Sequence, residues 1–370
     1  MNILDFQDGN DITSNLQRAL DSGAPLLHLP AGEYVITRPL KIHSNTTLIL
    51  DENARLSAGD NVLTKRGDFL LTNDDPEGGD ENIAVTGGTW DGNFHANPKS
   101  AMFDEDGYSG ALLNFVNVRN LTLRGLSLHN AAGYFIRLAR LDGFAVEDIR
   151  LSHDTNLSNN DGVHLCGFCE NGAIRRIHCV TKGTTADDLI ALNADDCVTR
   201  TENRDLPRGP IRHVLVEDVY AQWCHCLVRL LSVTAEISHV TIRNIRGGCR
   251  GNAVNIDAAR YCRTPLVDPD DPAYTRGVGN IRDVLIEGMD ITQAGKNPLV
   301  AAETNAVGLV IRDFTRASGD GETILLRNIS PSRIQLRSPD IDMTTDYGDT
   351  FTLPAGGFAY FSIDTEGFQR

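Results

Sequence analysis

The stretch His239-Val-Thr-Ile-Arg-Asn-Ile-Arg-Gly247 sets a nine-residue pattern: a small or polar first residue, apolar positions around 2, 4, 7 and 9, and Asn, Asp or Gly often at position 6. Working outward, the same pattern begins at Asn120, Gly143, Asn171, His213, Asp283 and Gly308, with a degenerate copy at Asn82. Apolar residues two apart describe a strand with one buried face, and the residue at position 6 describes a turn between two short strands. Position 2 of successive copies falls at Leu121, Phe144, Gly172, Val214, Val240, Val284 and Leu309, with separations of 23, 28, 42, 26, 44 and 25 residues. The two long intervals contain polar insertions, TENRDLPRGP from Thr201 and TPLVDPDDPAYTRG from Thr264. Without them the repeat is a coil of roughly 22 to 25 residues, the period of an all-β, right-handed parallel β-helix.

Other repeat folds fit less well. A leucine-rich repeat would show its Leu-x-x-Leu-x-Leu frame throughout, a propeller needs four strands per repeat, and helical solenoids need apolar spacings of 3 and 4. Helical spacing occurs at Ile12, Leu16 and Leu20, so a short N-terminal helix is expected over the open end of the solenoid. The whole chain, 1–370, then reads as one domain, with 1–40 forming the cap and first coil and about 320–370 forming C-terminal coils and a cap.

The composition is that of an ordinary globular chain: 370 residues, 41% hydrophobic, 23% charged. A formal net charge of −16 disfavours nucleic acid and anionic membranes as partners. The first twenty residues have neither the basic nor the apolar region of a signal peptide, so a cytoplasmic location is expected, or a secreted one if the native start was trimmed. The eight cysteines lie between Cys166 and Cys262. Cys166-x-x-Cys169 and Cys224-x-Cys226 lack finger-like partner pairs, so buried core thiols are expected rather than zinc, and no cofactor is expected.

In stacked coils, residues at equal offsets form a stripe on one face. Counted from position 2 of their own coils, Asp161 and Asp257 stand at 17, Asp187, Asp188 and Asn255 at 15 to 16, and His225 at 11. Carboxylates in neighbouring coils raise one another's pKa, which is how a cluster supplies both an acid and a base for cleaving a glycosidic bond. Lone Asn and Asp residues in β-helix turns are commonly structural, so it is the grouping that points to chemistry.

The run from Asp8 to Ile42, with Leu29-Pro30-Ala31-Gly32 followed by Tyr34-x-Ile36, resembles the entry of pectate-lyase-superfamily β-helices. Asn160-Asp161-Gly162 and Asp187-Asp188-Leu-Ile-Ala-Leu192 resemble two motifs of glycoside hydrolase family 28, the polygalacturonase family. The resemblance implies that Asp161, Asp187 and Asp188 are catalytic, with Asp188 the general acid and Asp161 and Asp187 positioning and deprotonating water. The family's Gly-His-Gly motif is partly matched by Cys224-His225-Cys226, which makes His225 a substrate-binding candidate. The family's carboxylate-binding Arg-Ile-Lys motif falls at Asn255-Ile256-Asp257, where neither cation is present. A uronate there would meet Asp257, a like charge, with Arg229 as a substitute cation. Asn160, His164, Asn255 and Trp223 complete the substrate-binding candidates, and Tyr134 is a further aromatic that could stack on a sugar ring. Alternation from Asp161 would put His164 on the opposite face unless a turn intervenes. Trp90-Asp91-Gly92 and Asp195-Asp196 read as turns, the second as a solvated one.

The expected function is an inverting glycoside hydrolase acting on a pectin-like oligo- or polysaccharide, without metal. A calcium-dependent lyase or epimerase, with Asp195 added to the ligands, and a non-catalytic carbohydrate-binding β-helix are the alternatives. Short substrates and exo action would follow from an intracellular location, with loops around Asp104–Tyr108 and Thr264–Arg276 closing the groove.

Overall fold

The computed structural model describes residues 1–6, 11–99, 110–157, 159–195, 203–257, 279–302, 304, 306–317 and 323–326, and beyond them the backbone of Arg333–Ser338, Ile341–Thr345, Thr350–Phe351 and Tyr360–Asp364. Successive coils pair in parallel as a right-handed β-helix. One ladder runs from Leu26–Leu29 through Thr47–Leu50 and Asp80–Thr86 to Ala306–Ala317, in steps set by the nine-residue copies. The register places Leu121, Phe144, Gly172, Val214, Val240, Val284 and Leu309 in one inward row.

The backbone explains the pattern. Position 1 of each copy (Asn82, Asn120, Gly143, Asn171, His213, His239, Asp283, Gly308) and position 6 (Gly87, Gly125, Asp148, Arg176, Asp218, Asn244, Gly288, Asp313) all adopt φ between 50° and 79°. This left-handed region is costly for most side chains and tolerated best by Gly, Asn and Asp. Two such residues per copy bend the chain at fixed points, so a four-residue piece of strand lies between two corners. Side-chain amides link some corners from coil to coil, Asn120 Nδ2 to Asn82 Oδ1 at 2.9 Å and Asn82 Nδ2 to Asn45 Oδ1 at 2.8 Å.

On the outside of this ladder, Arg124, Glu147, Arg175, Glu217, Arg243, Glu287 and Arg312 follow one another at one register position. Neighbours pair along the column, as in Arg175 Nη1–Glu147 Oε1 at 3.4 Å and Arg243 Nη2–Glu217 Oε1 at 2.5 Å.

The expected helix is Ile12–Asp21, capped by the Asp11 side chain on the Thr13 N–H, with Leu16, Ala19 and Leu20 buried over the first coil. At the other end, Ile324–Leu326 is the last strand paired in parallel, and Leu309–Ile311 and Arg333–Ser338 both pair antiparallel with Tyr360–Asp364. Among the described residues, strands beyond Leu326 pair antiparallel onto Leu309–Ile311 and Ile324–Leu325, covering that part of the last coils' edge.

Trp90 is wholly buried and donates Nε1–H to the Gly87 carbonyl at 3.1 Å, while Asp91 pairs with Arg55, so both residues are structural; they lie in the short strand Thr89–Asp91 rather than in the expected turn, the bend being at Gly87-Gly88. Six cysteines (166, 169, 179, 224, 226 and 249) are free and buried. Burial raises the thiol pKa of Cys169 and pushes that of Cys249 to about 12, which makes both poor nucleophiles. Cys197 and Cys262 lie outside the described residues.

Replacing Asn244 with Val is expected to cost about 1–2 kcal/mol, because a β-branched residue cannot relax at φ 56°, while Asn244→Gly changes stability by less than about 0.5 kcal/mol. Urea denaturation of the two variants checks it.

Candidate active site

The candidate residues gather on a second face of the solenoid, built from Leu40–Ile42, Leu71–Asn73, the first part of Leu113–Arg124, Ile136–Leu138, Val163–Leu165, Asp188–Asn193, Cys226–Leu231, Val254–Asp257 and Val300–Ala302. Here Val163, Ile190, Val228 and Val254 form an inward row, and His164, Ala191, Arg229 and Asn255 form the next row, facing outward.

The Asn-Asp-Gly motif is a corner. Asn159 takes φ 54°, and Asn160, wholly buried, donates Nδ2–H to the carbonyls of Gly133 at 2.6 Å and Ala131 at 3.2 Å. Asn160 thus holds the backbone of the preceding coil and is not at the surface to meet a sugar. Gly162 is required because a Cβ there would lie 2.4 Å from the Leu189 carbonyl oxygen in the next coil. The Gly162 N–H in turn donates to the Asp188 carbonyl at 3.0 Å, so this motif and the Asp-Asp motif stack directly.

Because the chain turns at Gly162, His164 does not fall on the opposite face from Asp161. Its Nδ1 lies 2.5 Å from Asp161 Oδ2, and its buried ring stacks on Tyr134 with centroids 4.2 Å apart. Tyr134 is only 1% exposed, so it backs His164 and offers no platform to a sugar.

Asp187 and Asp188 differ sharply in environment. The Asp187 side chain is 19% exposed and its Oδ1 is 3.6 Å from His225 Nδ1, with His225 itself 35% exposed. Asp188 is 2% exposed and accepts the Arg229 Nε–H at 2.5 Å. Burial raises the Asp188 carboxyl from its ordinary 3.8 to about 7; the Arg229 guanidinium opposes this, and the negative charges of Asp187 and Asp161 reinforce it. The three aspartates form one electrostatic unit. Gly251 lets His225 sit where it does, since a Cβ there would lie 2.8 Å from the His225 carbonyl oxygen and 3.1 Å from its ring.

Arg229 is not the substitute cation expected for a substrate carboxylate. It is 2% exposed, with Nη1 3.4 Å from Asp257 Oδ2 and Nε on Asp188. Asp257 is therefore a buried counter-charge to Arg229, and the like-charge clash expected between it and a uronate does not arise. Its numerical offset matched that of Asp161, but Asp257 pairs with Leu231 at the far end of the strand and reaches the site only through Arg229. Asn255 is buried in register with Arg229. Trp223 is half-buried on the rim, with the Lys182 ammonium 5.6 Å over its ring.

Asp195 is wholly buried rather than solvated: its Oδ2 accepts the backbone N–H groups of Val233, Thr234 and Ala235 at 2.6, 2.8 and 2.9 Å. That oxygen is fully committed to a turn. Asp196 and the loops Asp104–Tyr108 and Thr264–Arg276 lie outside the described residues. Ligand atoms of Asp187, Asp188 and His225 all lie within 4.8 Å of one another, close enough to hold a metal ion. Calcium prefers an all-oxygen set, and the Arg229 charge on Asp188 opposes any cation at that carboxylate.

No family model matches the chain. Over 97% of its length it is 22% identical to rhamnogalacturonase A of Aspergillus niger, of which the match covers 81%. A 35% stretch is 28% identical to the phage-related protein YobO of Bacillus subtilis, and the chain spans only 16% of that protein. Among solved structures, the polygalacturonase of Erwinia carotovora superposes with a TM-score of 0.60 at 15% identity, over 88% of this chain and 94% of that one. The fold is that of the polygalacturonases. It is also that of the Streptococcus pneumoniae surface adhesin PfbA, with a TM-score of 0.57 at 13% identity over 95% of this chain and 100% of that one. The mannuronan epimerase AlgE6 A-module of Azotobacter vinelandii superposes with a TM-score of 0.52 at 14% identity over 89% of this chain and 98% of that one.

Arg137, in register with His164 and buried beside the site, carries no mark in the sequence. An arginine in an outward strand position ordinarily reads as solvated, and only the segment packed over it reveals otherwise.

Arg229→Met leaves two buried carboxylates without a counter-ion and is expected to cost about 3–5 kcal/mol in denaturant titration. The Asp188 carboxyl is raised, so between its ordinary 3.8 and about 7 the folded chain keeps a proton that the unfolded chain has lost; stability from this group is present at acid pH and falls as pH rises through that window. Asp188→Asn should therefore gain in Tm relative to the unchanged protein between about pH 4.5 and 7.5.

Proposed function

We propose that the chain is a carbohydrate-active enzyme, a glycoside hydrolase that cleaves a pectin-like oligo- or polysaccharide with inversion. The observation that carries this reading is the stack of Asp161 and Asp188 in adjacent coils beside the partly exposed Asp187 and His225. A general acid must touch the leaving oxygen, and Asp187 is the aspartate of the three with the most exposed side chain. We therefore assign proton delivery to Asp187 rather than to Asp188. Mutual repulsion in the cluster favours retaining a proton on the Asp187–Asp188 pair. Asp161 and Asp188 are nearly closed off, and each is held by a buried partner, the His164 ring or the Arg229 cation. With the proton kept on the Asp187–Asp188 pair, water activated by Asp161 and attacking opposite the leaving group gives inversion. His225 lies at the rim, where it can donate to a sugar hydroxyl.

The reading agrees with the similarity to rhamnogalacturonase A and with a fold used by polygalacturonases. Six free thiols suit a reducing compartment, and a cytoplasmic enzyme trimming imported oligosaccharides is the corresponding setting. A second reading, a metal-dependent lyase or epimerase, draws on the Asp187, Asp188 and His225 grouping. It has to accommodate Arg229 against the metal.

Incubation with pectic, neutral and uronate-containing oligosaccharides, with and without chelator, decides between them by product mass. Hydrolysis adds one water per bond cut and survives chelation, whereas unsaturated or chelator-sensitive products support the second reading. Asp187→Asn is expected to lower turnover by about 10²–10⁴-fold with the fold intact; full activity in that variant would sink the acid assignment.

A further inference from the structure

We infer that the segment 203–207 walls off the substrate groove on its N-terminal side and makes the enzyme act from a chain end. This rests on the hydrolase reading above and concerns where along a polymer the bond is cut.

The outward row that includes His164 continues N-terminally through Arg137, Asn114, Thr72 and Lys41. On an open sheet face such residues are solvated, and a sugar chain could lie along them coil by coil. Arg137 is instead 1% exposed and His164 wholly buried. Over them lies part of the polar insertion that follows the Asp-Asp coil. Asp205 grips Arg137 with both oxygens, Nη1–Oδ1 at 3.1 Å and Nη2–Oδ2 at 2.8 Å. The Arg137 Nε–H is fixed on Asn114 Oδ1 at 2.8 Å, and its guanidinium lies 4.9 Å over the Phe69 ring. Asn203 contacts the Tyr134 hydroxyl at 3.2 Å and lies 3.4 Å from His164 Nε2, while Leu206 packs with Ala139 and Cys166.

A forked ion pair to an arginine that is itself fixed, a hydrogen bond to Tyr134 and an apolar contact thus pin one short segment across the face. Beyond it lies a cavity of about 590 Å³ lined by Asp205, Leu206 and Pro207 together with Thr72, Asn114 and Arg137. On its other side are the aspartates. His164 follows Asp161 in the same coil, so the wall stands within about two coil spacings, each about 4.8 Å, of Asp187. That leaves room for one or two sugar units between wall and scissile bond, and a polymer cannot thread past.

The test uses the unaltered protein first, on a polymer it cleaves, following product sizes by mass from the earliest times alongside viscosity. Exo action releases a single product of one or two sugars, with viscosity falling only in proportion to bonds cut. The double variant Arg137→Met/Asp205→Asn loosens the wall without stranding a buried unpaired charge. With its fold verified by circular dichroism, it should raise the yield of longer products relative to the smallest by about tenfold or more. Products of mixed length from the unaltered protein at early times would overturn this inference alone, as would an unchanged single product from the folded double variant. Absence of cleavage on every sugar tested would overturn the hydrolase reading and this inference with it.

Discussion

The left-handed backbone at two positions of every nine-residue copy is the constraint on which the rest of the molecule depends. It fixes where each coil turns, and so forces every coil to the same cross-section. Equal cross-sections put equal positions in vertical rows, and vertical rows stack Asp161 on Asp188 and Asp187 beside His225. A corner displaced by one residue would turn a whole strand over and send its carboxylates into the core. The chemistry of the site is thus inherited from the turns.

Much of the fold was legible for that reason. Left-handed corners need Gly, Asn or Asp often enough to leave a readable mark, and the helix Ile12–Asp21 announced itself through Ile12, Leu16 and Leu20. Exceptions such as Arg176, His213 and His239 take the same backbone shape without the expected residue types, because the coils paired on either side hold them there. The grouping of Asp161, Asp187, Asp188 and His225 in space was also legible. Their individual environments were not. Counting offsets along the chain cannot distinguish Asp257, reached through an arginine, from a residue at the Asp161 position. Nor does it show that Arg229 lies between two carboxylates, or that Tyr134 is under His164 rather than open to a ligand. Those facts depend on side-chain direction and on what an insertion covers.

Burial organises the polar chemistry throughout the face. Arg137, Arg229, Asp188, Asp195 and Asp257 are all nearly or wholly enclosed, and each has a charged or backbone partner within hydrogen-bond or ion-pair distance. Enclosed charges of this kind are costly to leave alone, so removing one partner disturbs the other more than it removes a contact. The site is therefore rigid below its partly exposed rim, which suits the hydrolysis we propose, in which a water molecule and two carboxyl groups must keep fixed relative positions.

The column of alternating charge on the first ladder, from Arg124 to Arg312, has a different consequence. Solenoid coils resemble one another, so a folding chain can mistake one for the next. Each surface pair contributes little by itself. Yet leaving out a single coil would set glutamate on glutamate or arginine on arginine at the junction, while leaving out two would restore the match. The column is a parity check: it rejects odd errors in stacking and leaves even ones to be caught by the unequal lengths of the loops.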